Sequence, residues 1–294
     1  MERPTPGLRE ILFPKRGFSV TELLLAANIL VAALLLAVLV AILLAPVSPA
    51  PAVAVPPNTA ESHAVAPGRL VLFIGVDISG SFMDGRYFDD SIEFLARYIH
   101  AHLNGLGGME VPNAMFVGSI GGVNQGEPKT LFPIQTFQDR TVEEIEAQLR
   151  VIFPRKKENP FTDYNAFFAQ IADMVDSKKL ILKPISIVLL TDGKPDLGGT
   201  NRQAKFRSIR LRPLENLSRN ITLRVLYTDA VTGKSWRDEV PRKRVKVWTQ
   251  DAIVMEEWKN PKTLVPGRAS AEQQKFFSWV RDNVDFQPRL RRVD

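Results

Sequence analysis

Residues 70–81 have the sequence LVLFIGVDISGS, and this stretch decides the fold. Its first part belongs to an almost unbroken apolar run over residues 69–76, which predicts a strand buried on both faces. Asp77, Ser79 and Ser81 follow that strand directly. Polar residues at the carboxyl end of a buried strand are typical of parallel sheets covered by helices, in which ligands bind beyond the strand ends.

Predicted strands and helices alternate through the rest of the chain. Buried strands are predicted over residues 114–120, 185–190, 221–227 and 245–249, with an edge strand over residues 129–138. Amphipathic helices are predicted over residues 86–103, 142–152, 163–176 and 271–284, with a further helix ending near residue 219. The alternation predicts an α/β fold with a doubly wound, mostly parallel sheet.

An uncharged apolar block over residues 23–44 precedes this domain. At ~1.5 Å per residue, a helix of that length crosses the core of a bilayer. Lys and Arg residues precede the block, and the next one is Arg69, so the positive-inside rule places the N-terminus in the cytoplasm and the domain outside. The predicted organisation is a basic leader (1–17), a transmembrane helix (18–44), a Pro/Ala-rich extended linker (45–68) and one domain (69–294).

The border of the apolar block resembles a type IV prepilin signal. Gly17 and Phe18 are followed by Glu22, and the apolar helix begins immediately afterwards. The resemblance implies cleavage after Gly17, a new N-terminus at Phe18, and a docking carboxylate at Glu22 that contacts neighbouring pilus subunits. A plain signal anchor explains the same residues, and Pro46 and its neighbouring prolines interrupt the chain where a pilin helix would continue. Both interpretations remain open.

Oxygen-bearing side chains gather on loops that the predicted sheet brings to one edge. Two carboxylates and three hydroxyls, completed by water, can supply six oxygen ligands, which suits Mg²⁺ and also admits Mn²⁺ or Ca²⁺. The loops that carry them are residues 77–81, 161–164 and 191–193.

The order of these residues resembles the metal-ion-dependent adhesion site of the von Willebrand factor A family. Its Asp-x-Ser-x-Ser motif falls on Asp77, Ser79 and Ser81, its distant Thr on Thr162, and its later Asp on Asp192. The resemblance covers about residues 69–285. It implies a bound divalent metal with a coordination position for an acidic residue of a protein partner, and a role in adhesion or envelope complex assembly.

Several other chemistries are excluded by the residues present. The absence of cysteine excludes disulfides, thiolate zinc sites and a cysteine nucleophile. A haloacid-dehalogenase-like phosphatase would need an acid two residues after Asp77, where this chain has Ser79. Residues 228–235 (TDAVTGKS) nearly match a phosphate-binding loop, but Thr228 replaces its first glycine, which favours a surface turn.

Charge does not indicate a nucleic-acid partner. The formal net charge is +6, and the basic residues are scattered among acids, so we expect solvated faces. The sequence predicts no enzyme. Two functions remain in contention, a membrane-anchored extracytoplasmic module for metal-dependent protein binding and a pilin-like subunit that displays the same domain.

Overall fold

The computed structural model describes residues 68–155, 161–196, 200–217 and 220–285. The chain divides into two compact units, residues 1–62 and 63–294, and all described residues belong to the second. The predicted leader, membrane helix and linker up to residue 67, with Gly17, Phe18 and Glu22, lie outside the described residues. None of the helices in the described part has both the length and the apolarity needed to cross a bilayer.

Six strands in the described residues form one sheet in the order β3-β2-β1-β4-β5-β6. The strands are β1 (Val71–Asp77), β2 (Ala114–Ile120), β3 (Leu131–Pro133), β4 (Ile185–Leu190), β5 (Ile221–Thr228) and β6 (Lys246–Asp251). Every neighbouring pair is parallel except β2 with β3, which is antiparallel. The predicted α/β architecture with a mostly parallel sheet is confirmed, and the strand order reverses beside β1.

Helices cover both faces of the sheet. They are α1 (Gly80–Met83), α2 (Tyr87–Leu103), α3 (Val142–Ile152), α4 (Tyr164–Ser177), α5 (Arg202–Arg207), α6 (Arg212–Glu215), α7 (Ala230–Asp238), α8 (Ala252–Glu256) and α9 (Gln274–Asn283). Side chains of β1 alternate between two cores because successive residues of a strand point to opposite faces. Leu72 and Ile74 pack in one hydrophobic cluster with α2, α3, α8 and α9, and Val71 and Phe73 pack in the other with α4 to α7.

Two predicted elements differ from the structure. The edge strand expected over residues 129–138 does pair with β2 at the edge of the sheet, but it is limited to Leu131–Pro133, because Pro133 cannot donate to a sheet ladder and a 3₁₀ turn follows it. The surface turn expected at residues 228–235 is the start of α7. Asp229 caps this helix by accepting from Thr232 N at 2.6 Å, and the buried Trp236 fixes the helix against the sheet.

A buried polar contact ties the C-terminal helix to the sheet. Arg224 lies on β5 and is 6% exposed. Its Nη1 donates to Ser186 Oγ at 2.7 Å, and its Nε donates to Val284 O, just after α9, at 2.5 Å. The end of α9 is therefore held by a charged side chain from the middle of the sheet.

Asp285 extends this contact to α2. It accepts from Tyr98 OH at 2.8 Å, and its Oδ2 lies 3.1 Å from His102 Nε2. Burial raises the pKa of Asp285, but the hydrogen bond and charge of His102, and then the charge of Arg224, outweigh burial and hold that pKa below its usual range. The other ring nitrogen of His102 lies 2.8 Å from Glu110 O, so each ring nitrogen faces an oxygen acceptor.

Asp285→Ala should lower the free energy of unfolding by about 2 kcal/mol, because Tyr98 and His102 lose their acceptor and Arg224 loses a nearby countercharge. The measurement is urea unfolding at pH 7. Asp282→Ala is the matched control, since Asp282 is an exposed acid in the last turn of α9, three residues before Asp285. Equal effects of the two substitutions would show that the buried contact does not stabilise α9.

Candidate functional site

The candidate site lies at the carboxyl edge, defined here as the edge of the sheet at which β1, β4, β5 and β6 end. Asp77 is the last residue of β1, and Thr191 and Asp192 follow β4. They meet because β1 and β4 are paired along their length. Asp77 is 0% exposed. Its Oδ1 accepts from Ser79 N at 2.8 Å, and its Oδ2 accepts from Thr191 Oγ1 at 2.5 Å.

Thr191 connects three segments through one hydroxyl. While donating to Asp77, its Oγ1 accepts from Gly193 N at 2.9 Å and lies 2.8 Å from Tyr164 OH at the start of α4. One hydrogen and two lone pairs are then all in use, with Tyr164 as the donor of its pair. Burial, and then the charge of Asp77, raise the pKa of Tyr164 well above its ordinary value, so its phenol remains a donor.

Ser79 and Ser81 bring two hydroxyls to the same edge. Ser79 occupies the N-cap position of α1, but its side chain makes no capping hydrogen bond. Its Oγ lies 3.3 Å from Ser81 Oγ instead. Ser79 is buried and Ser81 is exposed. The two hydroxyls therefore extend from the buried Asp77 towards solvent.

Thr162 is held by a short bridge to the loop after β2. Gly122 N donates to Phe161 O at 3.0 Å. Gly121 precedes this contact with a φ of 85°, and a Cβ there would lie 2.0 Å from Phe161 O, so the close approach requires glycine. Thr162 N donates to Asp196 Oδ2 at 2.9 Å. The side chain of Thr162 is 0% exposed, yet its Oγ1 has no hydrogen-bond partner.

Asp192 presents a second buried oxygen without a hydrogen bond. Its Oδ1 accepts from Lys194 N at 3.1 Å. Its Oδ2 lies 3.1 Å from Lys194 Nζ, an ion contact that lacks hydrogen-bond geometry. The Lys194 side chain is 60% exposed, so solvent screens this ion pair. A buried polar atom without a partner costs about 1–3 kcal/mol, and a cation at this edge would offset that cost.

The charge of Asp77 is also uncompensated. Burial, the largest effect, and the charge of Asp192 together raise the pKa of Asp77 to about 7, although hydrogen bonds from Thr191 and Ser79 oppose the shift. No salt bridge to Asp77 is present within the described residues. The pair of acids at this edge therefore favours a nearby cation.

The donor set fits a hard divalent cation. In the described part of the chain, no three His, Cys, Asp or Glu side chains are grouped so that they could hold a metal ion. A metal at this edge would rest on two carboxylates with hydroxyl oxygens and water, the ligand set that Mg²⁺ accepts. Thr162 Oγ1 and Asp192 Oδ2 are the atoms that most need such a partner.

Sequence reasoning missed the residues that support the site. Asp163 accepts from Ala166 N at 3.0 Å and from Gly126 N at 2.8 Å, so it caps α4 and holds the loop after β2. Thr191 precedes the predicted ligand Asp192, and Asp163 follows the predicted ligand Thr162. Their positions next to predicted ligands were the sequence signal that could have identified them. The contact between Asp196 and Thr162 joins two loops and has no local sequence signal.

A groove of about 470 Å³ adjoins these side chains. Ser81 and Asp192 form part of its wall, and Tyr227 and Ile253 are among its apolar lining residues. Ile253 is 67% exposed. An apolar surface therefore lies beside the oxygen-rich edge, open to a partner molecule.

No family model matches the sequence, and no curated protein is similar to it in sequence. Several solved structures are similar in fold. Proximal thread matrix protein 1 from the mussel byssus, with a zinc-occupied MIDAS motif, has a TM-score of 0.39 and 12% identity over 65% of this chain and 46% of its own. The pilus adhesin SpaC from Lactobacillus rhamnosus GG, in its open conformation, has a TM-score of 0.38 and 13% identity over 64% and 29%.

The SpRpn10 VWA domain has a TM-score of 0.35 and 10% identity, over 62% of this chain and 88% of its own. The chain spans less than half the length of the mussel and pilus proteins. These TM-scores and identities are too low for any site or partner of these proteins to be assigned to this chain.

Asp77→Asn should stabilise the metal-free protein more at neutral than at acidic pH. Because the folded chain holds the Asp77 proton up to about pH 7, against 3.8 for the ordinary carboxyl, the parent chain loses stability as the pH rises through that window. The uncharged variant escapes this loss, so its relative free energy of unfolding should rise between those values and level off above them. Urea unfolding in EDTA across this pH range measures the difference.

Asp84→Asn is the control for this titration, since Asp84 is exposed at the end of α1. Its free energy of unfolding relative to the parent, measured over the same pH range, is the reference for Asp77→Asn. A profile for Asp77→Asn that matches this reference would mean that burial does not raise the pKa of the Asp77 carboxyl in the metal-free state.

Proposed function

We propose that this chain contains a von Willebrand factor A-type domain that captures an acidic residue of a protein partner through a bound divalent metal ion. The proposed ligands are Asp77, Ser79, Ser81, Thr162 and Asp192. One observation carries the proposal. Two separate loops each bring a buried oxygen without a hydrogen bond, Thr162 Oγ1 and Asp192 Oδ2, to the edge where Asp77 is buried without a countercharge.

Each proposed ligand is positioned by its protein neighbours and keeps an oxygen available to the ion. Asp77 is positioned by Thr191 and by Ser79 N, and each of its oxygens keeps a second lone pair for the metal or for a metal-bound water. When bound, the ion supplies an electrophilic coordination position that a carboxylate from outside can fill. The proposed ligand set contains only two carboxylates, so the bound metal can accept a third carboxylate, supplied by the partner.

The adjoining groove favours a protein ligand. Its apolar lining, including Tyr227 and Ile253, suits a side chain next to the acidic residue of the partner. Arg86 and Lys194 are exposed along the same groove, but Arg86 pairs with Glu256 and Lys194 with Asp192, so the metal ion itself would attract the acidic residue of the partner. We propose Mg²⁺ as the ion, with Mn²⁺ or Ca²⁺ as substitutes, because all the ligand atoms are hard oxygens.

We propose a binding function and no enzymatic one. A phosphoryl-transfer reaction at Asp77 would need a general acid two residues later, and Ser79 cannot supply the proton there. The arrangement offers coordination without a nucleophile–base pair, which suits reversible capture of a ligand.

We further propose that residues 23–44 anchor the protein in the cell membrane, with the domain outside the cytoplasm. The support is the uncharged apolar block and the Lys and Arg residues on its N-terminal side alone. The alternative is a pilin-like subunit, cut after Gly17, in which Phe18 and Glu22 contact other pilus subunits. The residues around Gly17 favour that alternative, and the prolines from Pro46 onward favour the plain anchor.

Thr162→Val should weaken Mg²⁺ and Mn²⁺ binding by about tenfold while leaving the metal-free protein as stable as the parent or more stable. The reason is that valine keeps the shape of threonine and removes only a hydroxyl that has no hydrogen-bond partner. Calorimetric titration with each metal, together with urea unfolding in EDTA, measures the two quantities. Asp77→Ala should abolish metal binding at millimolar concentration.

The matched control is Thr191→Val, which removes a hydroxyl engaged with Asp77, Tyr164 and Gly193. That variant should lose about 1–3 kcal/mol of folding free energy in EDTA. If Thr162→Val instead destabilises the metal-free chain and leaves metal affinity unchanged, the hydroxyl is structural and the metal proposal fails.

Protease added to spheroplasts should digest the domain, and the mature N-terminal residue should decide between the anchor and the pilin-like subunit. Sequencing of the purified full-length protein should give Met1 for a plain anchor. A new N-terminus at Phe18, abolished by Gly17→Ala, would instead establish the pilin-like alternative. Complete protection of the domain in intact spheroplasts would contradict both.

A further inference from the structure

The amino edge, at which β1, β4, β5 and β6 begin, lies opposite the candidate site. Residues 178–184 lead into β4, residues 216, 217 and 220 lie between α6 and β5, and residues 241–245 lead into β6. Hydrogen bonds join these segments into one surface. Leu182 N donates to Leu217 O at 3.4 Å, and the Glu215 carboxylate accepts from Lys243 N at 2.5 Å.

A groove at this edge is lined by cations. It has a volume of about 680 Å³ and is bounded by α6 on one side and the segment before β6 on the other. A second groove of about 660 Å³ adjoins it and adds Arg210. The basic groove is defined here by the exposed side chains of Arg210, Arg212, Lys243 and Arg244.

The charges of the basic groove are only partly balanced, because one acid, Glu215, interacts electrostatically with Arg244. Within the described residues, none of its four cations forms an ion pair. Glu215 is the acid that lines the groove, and its carboxylate is occupied by the backbone N–H groups of Lys243 and Arg244. The groove therefore presents guanidinium and ammonium donors to solvent, and guanidinium groups bind phosphate in a bidentate fashion.

An exposed apolar pair lies next to the basic groove. Ile181 is 43% exposed and Leu182 is 82% exposed. Lys178 and Lys179 precede the pair and Lys183 follows it.

Leu182 has a φ of 74°, a left-handed conformation that a leucine rarely adopts, so its turn is held by the surrounding structure. Two apolar side chains within a ring of lysines are typical of surfaces that enter a membrane interface.

The start of β1 lies at the same edge. β1 is separated from β6 by three strand spacings, so the basic groove lies about 15 Å from the point where the chain enters the sheet. The sequence that precedes this point contains the uncharged apolar block over residues 23–44. Val71, the first residue of β1, therefore lies at the same edge of the sheet as the cations and the apolar pair.

We propose that the amino edge of the domain docks onto an anionic phospholipid surface. The cations of the basic groove contact lipid phosphates, while Ile181 and Leu182 insert between the headgroups. A domain that rests on this edge turns its carboxyl edge, with Asp77 and Asp192, away from the bilayer. The proposed anchor only brings the bilayer near, so the docking surface can be tested without it.

Two other anions fit the surface less well. Proteins bind single-stranded nucleic acid by stacking its bases on exposed aromatic rings. Among the exposed large apolar side chains of the described residues, the aromatic one is Phe161, and it lies at the carboxyl edge. A small soluble phosphate would use the groove but has no need of Ile181 and Leu182. Charge and apolar exposure together favour the membrane.

Vesicle co-sedimentation of residues 63–294 tests the proposal, because this unit contains the whole sheet and both hydrophobic clusters. Phosphatidylcholine vesicles with and without about 30% phosphatidylglycerol are compared in EDTA, which removes any metal-mediated contact. Binding is expected only to the anionic vesicles. The double variant Arg212→Glu, Lys243→Glu should reduce the partition coefficient by about tenfold or more.

The double variant Lys262→Glu, Lys275→Glu is the control. It changes the net charge equally, but its two exposed lysines lie outside the basic groove and the apolar pair. Equal loss for both double variants would reduce the effect to overall charge and overturn the proposal. Failure to bind anionic vesicles, or binding that requires Mg²⁺, would overturn it as well, and none of these outcomes affects the metal site.

Insertion of the apolar pair is measured with a fluorescent label. The chain has no cysteine, so Leu182→Cys and Val151→Cys each give a single site for a polarity-sensitive dye. Val151 is 73% exposed on α3 and serves as the control. Anionic vesicles should shift the emission of the dye at position 182 to shorter wavelength and leave that at position 151 unchanged.

Three results would overturn lipid docking. One is unchanged emission at position 182 in vesicles that bind the protein. Another is calorimetric binding of inorganic pyrophosphate that the Arg212→Glu, Lys243→Glu variant loses, without vesicle binding. The third is tighter binding of a fluorescent oligonucleotide than of vesicles, lost in the same variant.

Discussion

The hydrogen bond from Thr191 Oγ1 to Asp77 Oδ2 is the contact on which the carboxyl edge depends. It joins the ends of the two central strands at a distance of 2.5 Å in a fully buried position. Since the same hydroxyl also receives Gly193 N and Tyr164 OH, one side chain fixes the loop after β4 and the start of α4 relative to β1. Each of these hydrogen bonds is buried and therefore costly to break.

The surrounding core makes this arrangement rigid. Trp236 is 0% exposed on α7 and donates to Gly193 O at 2.8 Å, so the far side of the same loop is also fixed. Gly193 has a φ of 78°, and a Cβ there would lie 2.8 Å from Thr228 Cγ2, which explains why glycine occupies this close approach. With this loop held on both sides, Asp192 Oδ2 stays beside the exposed Lys194 Nζ and forms no hydrogen bond within the described residues.

The two edges of the sheet differ in chemistry. The carboxyl edge gathers acids and hydroxyls around Asp77, and the amino edge gathers unpaired cations beside Ile181 and Leu182. Parallel strands make such a division possible because all their beginnings share one edge and all their ends share the other. Capture of a partner at one edge and contact with lipid at the other, as proposed, would use the fold without competition between the two sites.

The local sequence determined the architecture. Short, mostly apolar runs such as residues 185–190, alternating with amphipathic helices, predicted the α/β fold and the edge to which Asp77, Ser79 and Ser81 belong. Thr162 and Asp192 were predicted by resemblance, and the metal itself stays a prediction. The sequence pattern misled at Pro133, which ends β3 early, and at residues 228–235, where Asp229 caps a helix in place of the expected turn.

Only the tertiary structure decided which polar atoms are satisfied and which surfaces form. Asp196 accepts from Thr162 N across two loops, and the Glu215 carboxylate on α6 accepts from Lys243 N before β6, so that Arg212 and Lys243 line one groove. Because these cations are scattered along the chain, the sequence predicted only solvated faces. A sequence gives the number of residues between two positions and not the distance between the folded segments. The pKa of Asp77 and the exposure of Leu182 depend on burial. Burial follows from the packing of all the segments, so it cannot be read from any single stretch of sequence.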